Sequence, residues 1–387
     1  MRKDVKLGDI AKIYSGGTPS RTKPIYWGGN IPWIKTTQIQ NCVITEKDVD
    51  EWITPEGMKK SSAKMVPRGT ILMAMYGQGK TRGQVAVLGI DATINQACAA
   101  IIVKDSADSN YIYQQLLYRY SSIRNLSNTG SQENLNSALI KSIAFPLPEL
   151  ILQKKIAALL STWDQAIEKI EWLIAAKETQ YLWFIKSLIS DACEDWVHLR
   201  AEKIFKNISD KGYGDEELLS VTQDRGVIPR AMLEGRVMSP EGSTDSYKLI
   251  KERDFAISLR SFQGGIEYSK YRGLISPAYT VLRPKLKVVD DFYRHFLKSY
   301  LFIEKYLSIA VIGIRDGKQI SNPDFMTVKI PYPPIETQKA IAIILNTARN
   351  EIDLIKKQLE AYRQQKRGLM QKLLTGQWRV KTNTEEM

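Results

Sequence analysis

Two stretches of the chain place apolar side chains at alternating steps of four and three. In the first, Ile156, Leu160, Trp163, Ile167, Ile170, Ile174, Lys177, Tyr181, Phe184 and Leu188 follow that spacing, with Lys177 the one polar member. In the second, Ile341, Leu345, Ala348, Ile352, Ile355, Leu359, Tyr362, Lys366, Leu369 and Leu373 do the same, with Lys366 the exception. An ordinary amphipathic helix drifts off such a register. A sustained 4-3 alternation instead keeps one narrow seam turned toward a partner helix, as in a coiled coil. Ile156, Leu160, Ile167, Ile170 and Ile174 are expected to form the centre of that seam on one helix, against Ile341, Leu345, Ile352, Ile355 and Leu359 on the other. Each stretch follows a Pro-x-Pro and holds no further proline, so each reads as one uninterrupted helix. From Ile156 to Leu188 the seam spans roughly 48 Å at about 1.5 Å per residue.

The same two places carry an internal repeat. Pro146, Pro148, Gln153, Lys154, Ile156 and Ala157 return as Pro331, Pro333, Gln338, Lys339, Ile341 and Ala342, always 185 positions later. That offset is close to half the chain, which reads as two copies of one unit. Topology follows from connection lengths. The first helix ends near Ser190, the second globular stretch begins within a few residues, and the second helix starts from that same end. The two helices are therefore expected to run antiparallel, with one globular unit at each end and a pseudo-two-fold relation between them.

Outside the helices the pattern changes to short β-rich runs, Ile71–Tyr76, Val85–Leu88, Ala99–Val103 and Tyr279–Leu282, separated by Gly-, Pro- and Asn-bearing turns. Short helices are expected at 109–121 and 290–307. The predicted fold class is α+β: two similar globular domains separated by a long antiparallel two-helix coiled coil. Its expected divisions are a first domain at 1–149, a first helix at 150–192, a second domain at 193–334, a second helix at 335–378 and a tail at 379–387.

Composition adds a partner class. With 387 residues, 43% hydrophobic and 25% charged, the chain is long enough for two or three domains and too apolar for disorder throughout. Lys and Arg number 55 against 42 Asp and Glu, a net charge of +13. Such an excess favours a polyanion, because neutralising phosphates releases condensed counterions. The first helix is neutral; the excess falls mainly on the first globular stretch and the C-terminal part of the chain. The three cysteines, Cys42, Cys98 and Cys193, are far apart, and His198 and His295 complete a poor metal-ligand set, so neither a disulfide framework nor a metal site is expected. Neither a signal-peptide core nor an 18-residue apolar run is present, and a cytoplasmic location is expected.

Polar, Gly-bearing loops recur in both halves. In the first, Lys35, Thr37, Gln38, Gln78, Lys80 and Arg82 are the candidate DNA-contacting side chains; in the second, Arg225, Arg260, Gln263, Tyr268 and Arg315. Arg, Lys and Gln supply the forked donors that distinguish base edges, while glycine lets backbone approach phosphate. Side-chain type leaves open whether each meets a base or a phosphate. Two segments imitate enzymes. Ala74–Thr81 matches a relaxed phosphate-binding loop, yet Arg82-Gly83-Gln84 leads straight into another β-like run and leaves no helix whose N-terminus could hold phosphates. Asn322-Pro-Asp-Phe325 is similar to an adenine-methyltransferase loop, but no Gly-rich strand–turn–helix for a methyl donor accompanies it, so a plain turn is expected there. No catalytic residues are assigned.

Leu7-Gly8-Asp9-Ile10, Gly17-Thr-Pro-Ser20, Tyr26-Trp-Gly-Gly29, Ile31-Pro-Trp33, the two Pro-x-Pro…Gln-Lys-x-Ile-Ala openings and Gly368–Gly376 occur in an order that resembles the specificity subunit of type I restriction–modification systems. The resemblance covers essentially the whole chain. It implies two target recognition domains, each reading one half of a bipartite double-stranded DNA target, with the paired helices as spacer. It also implies two methyltransferase subunits that bind S-adenosylmethionine and restriction/translocase subunits that use ATP and Mg2+, with no cofactor or metal on this chain. The Gly-Thr-Pro-Ser/Trp signature stands in the first half alone, so the two domains are expected to read different sequences. Trp172 and Trp183 on the first helix either dock a partner or tuck onto a neighbouring helix or domain. The rivals are a stand-alone DNA-binding regulator and a self-sufficient DNA methyltransferase or nuclease.

Overall fold

The computed structural model describes residues 4–77, 79–126, 134–233, 244–258, 265–308, 311–312, 319–320, 322–378 and 380, with backbone alone at 311–312 and 319–320. The chain divides into two compact units. One comprises the residues up to Glu171 together with those from Gln358 onward, and the other runs from Trp172 to Lys357. Each long helix contributes part of its length to each unit.

The first unit is built on a five-stranded sheet in the order Ala11–Ser15, Cys98–Val103, Ile71–Ala74, Val85–Leu88, Val43–Ile44. Its pairs are antiparallel except the last. The central run Ile71–Ala74 is buried at every position, as a strand covered on both faces must be. One face packs on the helix Ser109–Tyr118, which is capped by Asp108, and on the start of the long helix Leu150–Ile185. The other face packs against Ile34 and Ile39. A second, three-stranded sheet orders Glu51–Ile53, Trp27–Ile34 and Thr93–Ile94. The second unit has a four-stranded antiparallel sheet, Phe205–Ile208, Tyr279–Pro284, Phe255–Ser258, Glu267–Tyr268. Its core is a cluster of aromatic rings, Phe205, Phe255, Phe292, Tyr293, Phe296 and Phe302, all fully buried and meeting mostly edge to face.

The repeat reaches further in space than in sequence. Asp4–Lys6 pairs with Ala144–Pro146, and His198–Arg200 pairs in the same antiparallel way with Lys329–Pro331. In each unit a four-residue helix follows, Leu7–Ile10 or Ala201–Ile204, and then the strand that opens the main sheet. The backbone N–H of Leu7 donates to Ile143, and that of Ala201 to Val328.

The long helices, Leu150–Ile185 and Ile335–Leu374, pair antiparallel. Within the first unit, Asp164 meets Lys366 and Glu171 meets Arg363, so partner numbers fall as the first helix advances. Within the second unit, Glu178 bridges Lys356 at 2.6 Å, while Arg349 lies over the ring of Tyr181. All twenty positions of the predicted seam are buried or half-buried. Its two lysines are neutralised in place, Lys177 by Glu351 at 2.8 Å and Lys366 by Asp164. Lysine and tyrosine exchange places in the repeat: Lys177 corresponds to Tyr362, and Tyr181 to Lys366.

Three element boundaries differ from the sequence pattern. The helix expected at 109–121 breaks at Arg119 into Ser109–Tyr118 and Tyr120–Leu126. That expected at 290–307 ends at Phe296 and resumes as a π-helical turn, Phe302–Leu307. Ser299 punctuates it, its hydroxyl donating to the Phe296 carbonyl and accepting from the Phe302 N–H, which offers the backbone an alternative to continuing the helix. Asn322-Pro-Asp-Phe opens the short helix Asn322–Thr327 rather than a plain turn, with Phe325 fully buried.

Candidate nucleic-acid interface

In the first unit the signature residues build one compact cluster. The indole N–H of Trp33 donates to the Gly17 carbonyl at 2.9 Å, and that of Trp27 to the Ser20 carbonyl at 3.2 Å, so two tryptophans pin the Gly17–Ser20 loop. Their rings meet edge to face at 5.1 Å. The Arg21 guanidinium lies over Trp27 at 3.8 Å and near Trp33 at 5.0 Å, and it pairs with Glu51. Glu51 also receives the Lys35 ammonium at 2.8 Å, so one carboxylate holds two cations. The Arg21 side chain remains 55% exposed, with further N–H donors than the one spent on Glu51. Arg21 and Glu51 were absent from the candidate side chains; the signal was there in an arginine next to a Trp-rich strand. Gly17 serves a different purpose from phosphate approach, because a Cβ there would meet the Ala63 backbone nitrogen at 2.4 Å.

The predicted contacts separate by environment. Gln38 braces its own turn, its carbonyl oxygen accepting from the Lys35 N–H at 2.7 Å and its amide donating to the Asp48 carbonyl. Thr37 and Lys80 are exposed. Gln78 lies outside the described residues. The loop that imitates a phosphate-binding motif is the hairpin connection between Ile71–Ala74 and Val85–Leu88, closed by the Gly83 N–H on the Ala74 carbonyl. No helix starts from Lys80-Thr81, in keeping with the sequence reading. This hairpin and the 35–41 turn adjoin through Asn41, whose N–H donates to the Val85 carbonyl at 2.8 Å. Arg82 is 7% exposed, so its side chain is largely buried within the domain. Arg82→Ala is accordingly expected to lower the thermal midpoint of the chain, whereas Lys80→Ala should leave it unchanged; a denaturation scan distinguishes the two.

The Glu51 carboxyl is held below the usual carboxylate range, chiefly by its hydrogen bond to Arg21 and then by Lys35. Because the folded value is the lower one, the clamp stabilises the loop above the ordinary carboxylate pKa and is lost as pH falls through the depressed value. The indole N–H resonances of Trp27 and Trp33 should therefore hold steady through the ordinary carboxylate range and shift only below it. In Glu51→Gln the titration should vanish.

In the second unit the Thr222–Gly226 turn lies against Tyr268. Gly226 has φ +76°, and a Cβ there would meet the Tyr268 carbonyl oxygen at 2.7 Å, so glycine is required on both counts. Arg225 donates to the Met232 carbonyl at 2.9 Å. Lys298 joins the same edge, donating to the Gln223 carbonyl at 2.8 Å and pairing with Glu267 at 2.6 Å. Tyr268 is half-buried, and its hydroxyl donates to Asp290 at 2.6 Å, beside the Arg253–Asp290 pair. Burial and that carboxylate push the phenol up. Arg260, Gln263 and Arg315 lie outside the described residues.

Trp172 and Trp183 are 73% and 61% exposed, and the Trp183 ring meets that of Phe184 at 5.4 Å. Leu182, Ile343 and Leu354 are also exposed, all in the helical stretches of the second unit. Their repeat counterparts are Arg367, Ala158 and Lys169, and those of Trp172 and Trp183 are Lys357 and Gly368. At these five exposed positions the repeat is not kept, whereas the exposed pair Leu159 and Ile344 stays apolar. Among the described residues no group of three or more His, Cys, Asp or Glu is placed to hold a metal, and no helix is long and apolar enough to cross a membrane.

Two units of one plan, each presenting cationic and aromatic side chains on loops carried by a sheet, define a duplicated DNA-recognition protein. The chain belongs to the type I restriction modification DNA specificity domain family, whose model matches residues 2–176 and 200–361. It is 24% identical over 407 residues to the type I restriction enzyme MjaVIII specificity subunit of Methanocaldococcus jannaschii, covering 97% of this chain and 93% of that one. Against the EcoR124I/EcoR124II specificity subunit of Escherichia coli it is 29% identical over 194 residues, 48% of this chain and 47% of the relative. The fold is shared with the type I restriction–modification S subunit of M. genitalium, at TM-score 0.58 and 18% identity over 96% of both chains. A structure from a study of type I restriction–modification complex assembly matches at TM-score 0.56 and 14% identity, over 97% of this chain and 98% of that one.

Proposed function

We propose that this chain is the sequence-specific DNA-binding subunit of a type I restriction–modification enzyme and performs no catalysis itself. Its two globular units read the two halves of a bipartite duplex target, and the paired helices set the gap between them. A seam of roughly 48 Å corresponds to about 14 base pairs, the scale of half-sites one turn or slightly more apart. The duplicated plan carries this reading: one domain architecture occurs twice, each copy leading through the same Pro-x-Pro into a helix of one antiparallel pair. Two methyltransferase subunits bring S-adenosylmethionine, and restriction/translocase subunits bring ATP and Mg2+.

The exposed tryptophans support docking of a methyltransferase on the helices, since large aromatic anchors dominate the energetics of interfaces. Trp172→Ala and Trp183→Ala should each weaken methyltransferase binding by about tenfold or more, with the thermal midpoint unchanged. Calorimetric titration of the chain with the methyltransferase subunit measures it.

The functional test is selection of target DNA by the reconstituted complex from a randomised duplex library. A bipartite motif with a fixed gap is the expected result. Methyl transfer by the isolated chain would favour the self-sufficient enzyme, and tight specific binding without any methyltransferase would favour the regulator.

A further inference from the structure

Each unit contains, separately, a buried joint of the same design that the sequence repeat only hints at. In the first, the side chain of Gln153, 1% exposed, accepts the Asp108 backbone N–H at 2.8 Å and donates to the Pro148 carbonyl at 2.7 Å. In the second, Gln338, fully buried, accepts the Val289 N–H at 2.9 Å and donates to the Pro333 carbonyl at 2.8 Å. A buried tyrosine completes each joint. Tyr111 donates its hydroxyl to the Pro146 carbonyl at 2.9 Å, and Tyr293 donates to the Pro331 carbonyl at 3.0 Å.

The bonds from the Asp108 and Val289 N–H groups tie each domain to its long helix, while the bonds to the prolines fix the strand-to-helix connection between them. Asp108 and Val289 precede the helices Ser109–Tyr118 and Asp290–Phe296, which pack on the sheets that carry the candidate reading loops. The glutamines stand in the first turns of the long helices, and the prolines end the strands Ala144–Pro146 and Lys329–Pro331 or lie in the short connections that follow them. A carboxamide with both ends satisfied inside a core is directional, and leaving its partners unmet is costly, so the joint admits one angle between domain and helix.

We propose that Gln153 with Tyr111, and Gln338 with Tyr293, are positioning residues that lock each reading domain to its helix and thereby enforce the gap length of the DNA target. This rests on the bipartite-reading function proposed above. A gap one base pair longer displaces the second half-site by about 3.4 Å and turns it by about 35°. A rigid joint makes that misfit expensive, whereas a loosened one absorbs it.

The test is binding of the reconstituted full complex to its selected target with the native gap and with gaps one base pair shorter and longer. Gln153→Met and Gln338→Met keep the side-chain length and remove the hydrogen bonds; Tyr111→Phe and Tyr293→Phe are milder and delete one hydroxyl each. Each glutamine variant should reduce the preference for the native gap by about tenfold, the scale of one net buried hydrogen bond, and each tyrosine variant by less. Base preferences within both half-sites should be unchanged. Folded variants with a lower thermal midpoint and the wild-type gap preference would overturn the proposal, because a merely stabilising contact behaves that way. Absence of any bipartite preference in the wild-type complex would instead sink the functional reading on which it rests.

Discussion

Leu345→Ala is expected to destabilise the second unit by about 2–5 kcal/mol, and Leu160→Ala the first by a similar amount. The two leucines stand 185 positions apart, and both are fully buried. Each does two jobs at once. Leu160 is a seam residue that also belongs to the core containing Tyr111, Leu116 and Phe145. Leu345 likewise joins the core containing Phe292, Tyr293 and Phe296. Truncation leaves a cavity where helix and domain meet, which neither can close by moving alone. The neighbouring Ile343 is 67% exposed, so Ile343→Ala should stay within about 0.5 kcal/mol of wild type. Denaturant unfolding of the three variants measures the contrast. Equal stability of Leu345→Ala and Ile343→Ala would mean that the 4-3 pattern does not mark the packed face.

Lengthening both helices by one heptad should move the preferred gap between half-sites by about three base pairs. Seven added residues extend a helix by about 10.5 Å, and base pairs rise about 3.4 Å. Insertions after Glu171 and after Lys357 fall where the chain passes from one unit to the other, outside both domain cores. A whole heptad keeps the seam in phase, so the paired helices survive, whereas four residues would rotate one half of the seam away from the other. The change of specificity is large: the parent target should be lost and a longer one gained, with both half-site sequences retained. Selection from a library of variable gap length reads both at once.

The helices were fully legible in the sequence because their signal is periodic and local. The 4-3 spacing named twenty seam positions, and the structure leaves none of them exposed. The β runs were legible for a similar reason, Val85–Leu88 falling on the predicted residues. The interface was less legible, since a side chain's role depends on partners distant in sequence. Gln38 reads as a base-contacting amide, but Asp48 and Lys35 engage both of its ends. Arg82 reads as a loop arginine, and its fold buries it. Conversely, Arg21 gains its place only when Trp27, Trp33 and Glu51 close around it from three positions along the chain. The domain–helix joint shows the limit most clearly. Gln153 and Gln338 were visible as repeats, while Tyr111 and Tyr293 lie outside the repeated string and were matched only by their bonds to Pro146 and Pro331.

The most direct measurement is a genome-wide map of N6-methyladenine in cells that carry this chain with the methyltransferase subunits proposed for it, compared with cells lacking the chain. Two short motifs separated by an invariant stretch of unread bases, with methylation in both halves and only when the chain is present, are the expected result. A single uninterrupted motif, or a methylation pattern indifferent to removal of the chain, would contradict the proposed reading of a bipartite target by two domains.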